Sequence, residues 1–222
     1  MLSAPEASTG THTADQASLR VYSNPYKVPA PVFEETLGDL QRLSWSLNAH
    51  NCNNQKLRYE EFEESSCSIQ YRLLMLQGTL TDILDECIRL GSLAFLISTF
   101  QLPRGEDKYH YLSNRFRECC CALDPSGQKT KDWSLWLLLI GAISLYGVDA
   151  SWLRKRWRNS VPANMTWSEA RRRLKGMVWI DSIHDELGEY AFRVLNRGDV
   201  PDSEKDHTRL LANGWAICPF QI

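Results

Sequence analysis

The sequence predicts an all-α protein, an irregular bundle or array of helices with a disordered N-terminal leader. Apolar residues recur at spacings of three and four in several segments, as they do on one face of a helix. No segment alternates convincingly between apolar and polar residues, the pattern that indicates a strand. The apolar share of 43% is ordinary for a globular protein and argues against wholesale disorder.

The first predicted elements are a leader, a short helix and a linker. Residues 1–31 are rich in Ser, Thr, Ala and Pro and end in a proline cluster, so we expect no stable fold there. Residues 32–47 place apolar side chains at helical spacing and predict a short amphipathic helix. Residues 48–65 are polar and acidic, and this composition predicts a loop or linker.

Three helices are predicted in the middle of the chain. They cover residues 67–77, 81–100 and 106–123. The second has the clearest apolar stripe, and its first turn is acidic, as the helix dipole favours. The sequence Asp-Pro-Ser-Gly at 124–127 then predicts a turn.

Residues 132–147 are apolar on nearly all sides and predict a buried central helix. The alternative interpretation is a membrane span. A span needs about 20 apolar residues, whereas this run is shorter and is bounded by Asp132 and Asp149. We therefore expect no membrane contact.

The last part of the chain predicts further helices and a tail. Residues 150–158 predict a short helix, and residues 166–169 match a capping box that starts the next one. Its apolar pattern runs through Met177 and Val178 into a second amphipathic stretch that ends near Arg197. The expected organisation is a leader (1–31), one helical domain (32–198) and a C-terminal tail (199–222).

Charge is spread unevenly along a chain whose formal net charge is only −2. From residue 32 to 90, acids outnumber bases ten to five, whereas from 151 to 175 bases outnumber acids eight to one. The total argues against a polyanion binder that works by bulk charge. The asymmetry suggests an acidic front and a basic back that attract each other or an external partner.

The seven cysteines predict neither a disulfide framework nor a metal site. Their number is odd, and Cys119, Cys120 and Cys121 are adjacent, so their side chains point in different directions on a helix. These thiols and His110 therefore cannot all reach one tetrahedral zinc ion. We interpret them as small buried apolar residues and expect no metal and no cofactor. Because the N-terminus has no apolar run typical of a secretory signal, a reducing intracellular compartment is expected.

Enzymatic chemistry has only weak candidates in the sequence. Neither a phosphate-binding glycine loop nor a nucleophile-elbow motif occurs. His184 lies beside Asp185, but neighbours on a helix do not face each other, so the carboxylate cannot readily orient the ring. We expect a protein that is not an enzyme, and a thiol-dependent enzyme stays open as an alternative. Its residues would be Cys119 or Cys120 with His110 or His184.

The sequence SWLRKRWRNS at 151–160 interleaves four basic residues with two tryptophans. One interpretation is a nucleic-acid groove with phosphate contacts and tryptophan stacking on bases. The other, which we favour, is a helix on which Leu153 and Trp157 form a buried row while the cations face water. Direct nucleic-acid binding through residues 154–173 stays open as an alternative. The candidate nucleic-acid or partner contacts are Arg154, Lys155, Arg158, Arg171 and Arg172.

The chain from about residue 81 to 192 carries a recognisable order of segments. A helix with the sequence ECIRLGSLAFLISTF precedes the apolar WSLWLLLIGAISLYG, the basic WLRKRW and finally WSEARRRLKGMVWIDSIHDELG. The most specific part is the pattern of Trp167, Leu174, Trp179-Ile180-Asp181 and Gly188. These segments resemble the C-terminal part of the helical domain of fungal-specific transcription factors, the zinc-cluster regulators.

The resemblance implies a non-enzymatic regulatory or effector module that acts in transcription regulation in the nucleus, whereas the residues alone favour the cytoplasm. Its expected partners are another protein, a second copy of the chain or a small-molecule effector. Members of this family usually begin with six cysteines, C-x2-C-x6-C twice, that bind two zinc ions and read DNA. The seven cysteines here do not fit that arrangement. The chain therefore resembles a truncated relative with the effector domain alone, and we expect no direct DNA contact.

Overall fold

The computed structural model describes residues 30–52, 59–100, 102 and 108–197. Within these residues the fold is all-α, as predicted, with eight α-helices, one π-helix and no strand. The α-helices are α1 (Ala30–Cys52), α2 (Tyr59–Met75), α3 (Ile83–Thr99), α4 (His110–Ala122), α5 (Gln128–Gly141), α6 (Ser151–Ser160), α7 (Trp167–Lys175) and α8 (Asp181–Arg197). The predicted tail 199–222 lies outside the described residues, and so does the predicted leader except for Ala30 and Pro31. Those two residues open α1, where a proline is tolerated because the first N–H groups of a helix have no internal acceptor.

Helices α1 and α2 correct the prediction of a linker at 48–65, except for residues 53–58, which lie outside the described residues. Residues 48–52 belong to α1, and residues 59–65 form the first two turns of α2. Phe62 is only 1% exposed, and its ring centroid lies 5.6 Å from that of Phe100. One apolar side chain among acids produces no periodic signal, so the tertiary contact decides this helix. The acids fit the helix because its dipole favours them in the first turn.

Helices α3 and α5 form the centre of the fold. Almost every residue of α3 beyond its first turn is buried, and α5 is buried from Ser134 to Gly141. Helix α3 packs against α2, α4, α5 and α8. It approaches α5 closely at Gly91, where a Cβ atom would lie 2.7 Å from the Trp136 ring. The prediction of a buried central helix is confirmed, and no helix of the described residues is long and apolar enough to cross a membrane.

The central helix continues into a π-helix at Ala142–Tyr146. The Gly147 N–H closes it by donating to the Ala142 carbonyl at 2.9 Å. Gly147 itself has a φ of 76°, a left-handed conformation that costs glycine little because it has no Cβ atom. The chain can therefore turn here and start α6.

Helices α6 and α7 both pack against α5 and α8. The predicted capping box at the start of α7 is confirmed. Thr166 Oγ1 accepts from the Glu169 N–H at 3.3 Å, and Glu169 Oε2 accepts from the Thr166 N–H at 3.0 Å. These bonds satisfy donors that the first turn of a helix leaves without an internal partner.

The prediction of a helix that continues beyond Lys175 is wrong. Met177 and Val178 lie in the connection between α7 and α8. Trp136 Nε1 donates to the Val178 carbonyl at 2.6 Å. In a continuous helix the Val178 carbonyl would accept a backbone N–H of the same helix, whereas here it accepts from the Trp136 side chain. The pattern of apolar residues contains no signal of this tertiary hydrogen bond.

Candidate functional site

Helix α6 carries the basic stretch that the sequence offered as a nucleic-acid contact. Leu153 is fully buried and Trp157 is 1% exposed, as predicted. The Trp157 indole N–H donates to Asn196 Oδ1 at 2.8 Å, and its ring meets Phe192 edge-on with centroids 5.7 Å apart. Trp157 therefore faces α8 and the core and cannot stack on a base.

The four cations of α6 divide into two groups, and Arg156, which is half-buried and donates to the Leu123 carbonyl, belongs with Arg154. Lys155 and Arg158 are exposed, as predicted. Arg154 is half-buried, contrary to the prediction that it faces water. Its Nε donates to the Val148 carbonyl at 2.9 Å, and its Nη2 pairs with Asp149 at 3.0 Å. The loop before α6 folds against the first turn of the helix, which helical geometry alone does not predict.

Helix α7 uses its first arginine to bind α8. Arg171 donates from Nε to Asp185 at 2.8 Å and from Nη2 to Asp181 at 2.9 Å. The hydrogen bond to Asp185 outweighs partial burial and raises the pKa of Arg171 above its ordinary value. Arg172 and Arg173 on the same helix are exposed. Arg171 therefore acts as a structural cation between two helices.

Three of the five candidate contacts face solvent. They are Lys155, Arg158 and Arg172. Arg154 and Arg171 pair with carboxylates of their own chain, which removes two of the cations that a polyanion would neutralise. The exposed cations are spread over two short helices, α6 and α7.

The residues that carry the family resemblance form a packing unit around Gly188. A Cβ atom at Gly188 would lie 2.7 Å from the Trp179 ring and 3.2 Å from the Trp167 ring. These two tryptophan rings meet edge-on, with centroids 6.4 Å apart. Leu174 is fully buried beside them in the same core. The pattern in the sequence therefore marks the packing of α7 and the following segment on α8.

Asn48 joins this unit to α1. Its Nδ2 donates to the Trp179 carbonyl at 2.7 Å, and its Oδ1 accepts from the Asp181 N–H at 2.8 Å. Trp45, one turn earlier, donates from Nε1 to the Lys175 carbonyl at 3.3 Å. Sequence reasoning missed Asn48 because an asparagine at the start of a predicted linker carries no signal of a contact so distant in the chain.

His184 is fully buried between α8 and α3. Its Nε2 lies 3.0 Å from Ser98 Oγ, which donates onward to the Phe95 carbonyl at 2.7 Å. The Ile180 N–H donates to its Nδ1 at 3.1 Å. Nδ1 also lies 3.1 Å from the Ile180 carbonyl oxygen, so both ring nitrogens have polar partners inside the fold. The ring also stacks on Phe95, with centroids 4.9 Å apart.

The Asp185 carboxylate accepts hydrogen bonds from groups other than the neighbouring His184 imidazole. Its Oδ1 accepts from Trp179 Nε1 at 2.8 Å, and its Oδ2 accepts from Arg171. His184 holds α8 against α3, whereas Asp185 holds α8 against α7. The adjacent histidine and carboxylate therefore serve two separate helix contacts.

The thiols of α4 are placed for packing. Cys119 and Cys120 are free and buried, as expected, whereas Cys121 is free and exposed, contrary to the interpretation of these thiols as buried residues. A hydrogen bond with Cys87 and burial raise the pKa of the Cys119 thiol, which disfavours the nucleophilic thiolate. His110 begins the same helix, about 13 Å along its axis from Cys119 at 1.5 Å per residue. Among the described residues, no cluster of His, Cys, Asp or Glu is arranged to hold a metal ion.

A polar groove of about 560 Å³ lies between α1 and α2, lined mostly by charged and hydroxyl side chains. Asp39 pairs there with Arg42 and, at 2.6 Å, with Arg72. Burial opposes the ionisation of Asp39, but hydrogen bonds from both arginines outweigh it and hold the pKa of this carboxyl below its usual value. The groove is therefore ionic, with both signs of charge on its walls.

The side of α2 that faces away from the core carries an unusual set of exposed side chains. We call it the outer face of α2; it consists of Glu60, Glu63, Glu64, Cys67, Tyr71, Leu74 and Met75. Tyr71 is 64% exposed, and Leu74 and Met75 are each about half exposed, at 48% and 49%. Sequence reasoning missed this face because it placed the acidic half in a linker. The sequence does contain a signal of this face, because its glutamates and apolar residues follow one another at spacings of three and four positions, as neighbours on one side of a helix do.

Comparison with known proteins found no relative of this chain. No family model, no curated protein and no solved structure matches it.

Proposed function

We propose that this chain is a non-enzymatic helical regulatory module of the kind found in fungal zinc-cluster transcription factors, acting in the nucleus through contacts with another protein. The observation that carries the proposal is the outer face of α2. Exposed apolar side chains grouped on one helix face are typical of a protein interaction site. Tyr71, Leu74 and Met75 make such a group.

The use of the polar side chains inside the fold supports the same proposal. His184, Asp185 and Arg171 are hydrogen-bonded between helices, and Cys119 is buried with a raised pKa. Groups that act in catalysis need access to a substrate as well as a suitable pKa. In the described residues these candidates instead hold α3, α7 and α8 together, so the solvent-facing surface is the part that a partner meets.

A tethering assay tests this function. The full chain, fused to a heterologous DNA-binding domain in a fungal reporter strain, should change reporter expression severalfold relative to the DNA-binding domain alone. The matched control is Gly188→Leu, which forces a large side chain into the Trp179 ring and should abolish the effect by unfolding the module. Unchanged expression with a stable nuclear fusion contradicts the proposal.

Direct nucleic-acid binding is the second candidate, because Lys155, Arg158 and Arg172 are exposed. It predicts binding of the full chain to generic duplex DNA at low salt, with an affinity that falls steeply as salt is raised. Replacing these three cations by glutamate should then abolish binding. No binding at low salt rules this candidate out and leaves the regulatory module.

A further inference from the structure

The outer face of α2 has two chemically different halves. Its N-terminal half presents Glu60, Glu63 and Glu64, and its C-terminal half presents Tyr71 and Leu74 together with Met75. Successive helical residues turn by about 100°, so all of these side chains fall within an arc of roughly 120°. The distribution is therefore a single continuous strip with an acidic end and an apolar end.

Burial confirms that this strip points away from the core. Phe62, Ile69, Leu73 and Leu76 occupy the opposite side of α2 and its C-terminal end, and all four are 2% exposed or less. Through that side α2 packs on α1 and α3. The apolar residues of the outer face therefore do not belong to the core that the described residues build.

A residue from α4 extends the apolar end. Tyr111 is 63% exposed, and its hydroxyl accepts a hydrogen bond from Gln77 Nε2 at 2.8 Å, just beyond the end of α2. This bond places a second exposed tyrosine beside Gln77, two residues after the end of α2. An exposed aromatic side chain of α4 thus lies at the C-terminal end of the outer face.

We propose that the outer face of α2 binds an amphipathic helix of a partner protein, with basic residues in one half of that helix and apolar residues in the other. This inference rests on the proposed function and names the partner's chemistry. Charge complementarity beside an apolar patch favours this partner: lysine or arginine meets the glutamates while leucine-like side chains cover Tyr71, Leu74 and Met75. From Glu60 to Met75 the strip is about 22 Å long, so the partner helix needs about four turns.

A second copy of the chain fits this face less well. Its exposed cations include Lys155 on α6, Arg172 on α7 and Arg117 on α4. Helix α4 presents a single exposed large apolar side chain, Tyr111, which does not form a row. The apolar rows of α6 and α7, with Leu153, Trp157 and Leu174, are buried in the chain's own core. A second copy would therefore bring positive charge without the exposed apolar row that Leu74 and Met75 require.

Fluorescence anisotropy tests the proposal with a defined probe. The probe is a dye-labelled synthetic helix of four turns, with lysines in one half of one face and leucines in the other half. We expect saturable binding to the full chain that weakens as salt is raised. A peptide of the same composition, with its lysines and leucines scattered round the helix, is the control and should bind at least about tenfold more weakly.

Two kinds of variant locate the site. Glu63→Lys with Glu64→Lys, and separately Leu74→Ser, should each weaken probe binding about tenfold. Asp132→Lys with Glu186→Lys makes the same charge change at exposed sites on α5 and α8, outside the two helices of the patch, and should leave binding unchanged. Circular dichroism confirms that each variant folds, so a loss of binding reports the surface. Equal effects of the α2 substitutions and of this control on α5 and α8, or no binding of the probe, overturn the proposal.

The outcomes separate this inference from the proposed function. Reporter activity that survives Glu63→Lys, Glu64→Lys and Leu74→Ser overturns the docking site while the regulatory function stands. A silent wild-type fusion contradicts the function even where the probe binds. Sedimentation that shows a dimer of the wild-type chain, dissociated by Leu74→Ser, overturns the partner helix in favour of a second copy.

Discussion

Replacing glycine by alanine is expected to have opposite effects at Gly38 and Gly188, although both residues lie inside helices. At Gly38 the added Cβ atom meets only Arg42 Nη1, at 3.4 Å, which is the mobile end of an exposed side chain. Alanine there gains helix propensity without a clash. We therefore expect Gly38→Ala to raise the free energy of unfolding by about 0.5–1 kcal/mol.

At Gly188 the same atom meets the ring of Trp179 at 2.7 Å. That ring is fully buried and its Nε1 is bonded to Asp185, so it cannot move aside freely. Overpacking of this kind costs about 1–3 kcal/mol, against which helix propensity contributes up to about 1 kcal/mol. We expect Gly188→Ala to lower the free energy of unfolding by about 1 kcal/mol. The Gly188→Ala variant should then be about 2 kcal/mol less stable than the Gly38→Ala variant.

Thermal unfolding followed by circular dichroism measures this difference. For a chain of this size, about 2 kcal/mol corresponds to a difference of roughly 4–8 °C in Tm between the two variants. Gly91→Ala is an independent repeat, since its Cβ atom would lie 2.7 Å from the Trp136 ring, and it should behave like Gly188→Ala. Stabilisation by all three substitutions would refute the close approach of the tryptophan rings to these glycines.

Three further predictions concern buried polar groups. Arg89 is 1% exposed and is bound to Glu86 through two hydrogen bonds of 2.7 and 2.8 Å, so Arg89→Met should cost about 3–5 kcal/mol in urea unfolding. Arg115→Met, which breaks an exposed ion pair on α4, should cost less than about 1 kcal/mol, and similar losses for both would contradict the buried pair. Because the pKa of Cys119 is raised in the folded state, this thiol ionises more easily in the unfolded chain, where its pKa is about 8.5. The free energy of unfolding should therefore fall as pH rises above that value. Cys119→Ala should reduce this pH dependence, measured by urea unfolding. Asp185→Asn weakens hydrogen bonds to Arg171 of α7 and to Trp179 in the connection before α8, and it should cost about 1–2 kcal/mol in urea unfolding. The matched change Glu186→Gln, at the exposed neighbour, should cost less than about 0.5 kcal/mol, and equal costs would show that the Asp185 carboxylate is not used structurally.

Local signals in the sequence were sufficient for much of the fold. Helix α3 and the central helix were predicted because their apolar residues follow a helical period over many turns. The capping box of Thr166 and Glu169 was also predicted, since both of its hydrogen bonds form within one turn. The buried row of Leu153 and Trp157 followed from the 100° step between helical residues.

The candidate site was less predictable. Two of the five predicted contact cations, Arg154 and Arg171, are paired with carboxylates, and only the folded chain brings those carboxylates near. The outer face of α2 was missed because residues 48–65 have no apolar period, and the helix there depends on the burial of Phe62. The ion pairs join a helix to the loop before it or to another helix, and Phe62 meets a residue far away in sequence, so the period of a single helix does not contain these contacts.

The sequence by itself determined the helical class, the central buried helix and the side of α6 that enters the core. These features depend on the period of apolar residues and on hydrogen bonds within one turn. Only the tertiary structure decided where α7 ends, because the Val178 carbonyl accepts from Trp136 instead of from its own helix. It also decided which charges remain at the surface, because an ion pair such as Arg171 with Asp185 forms only when two helices pack together.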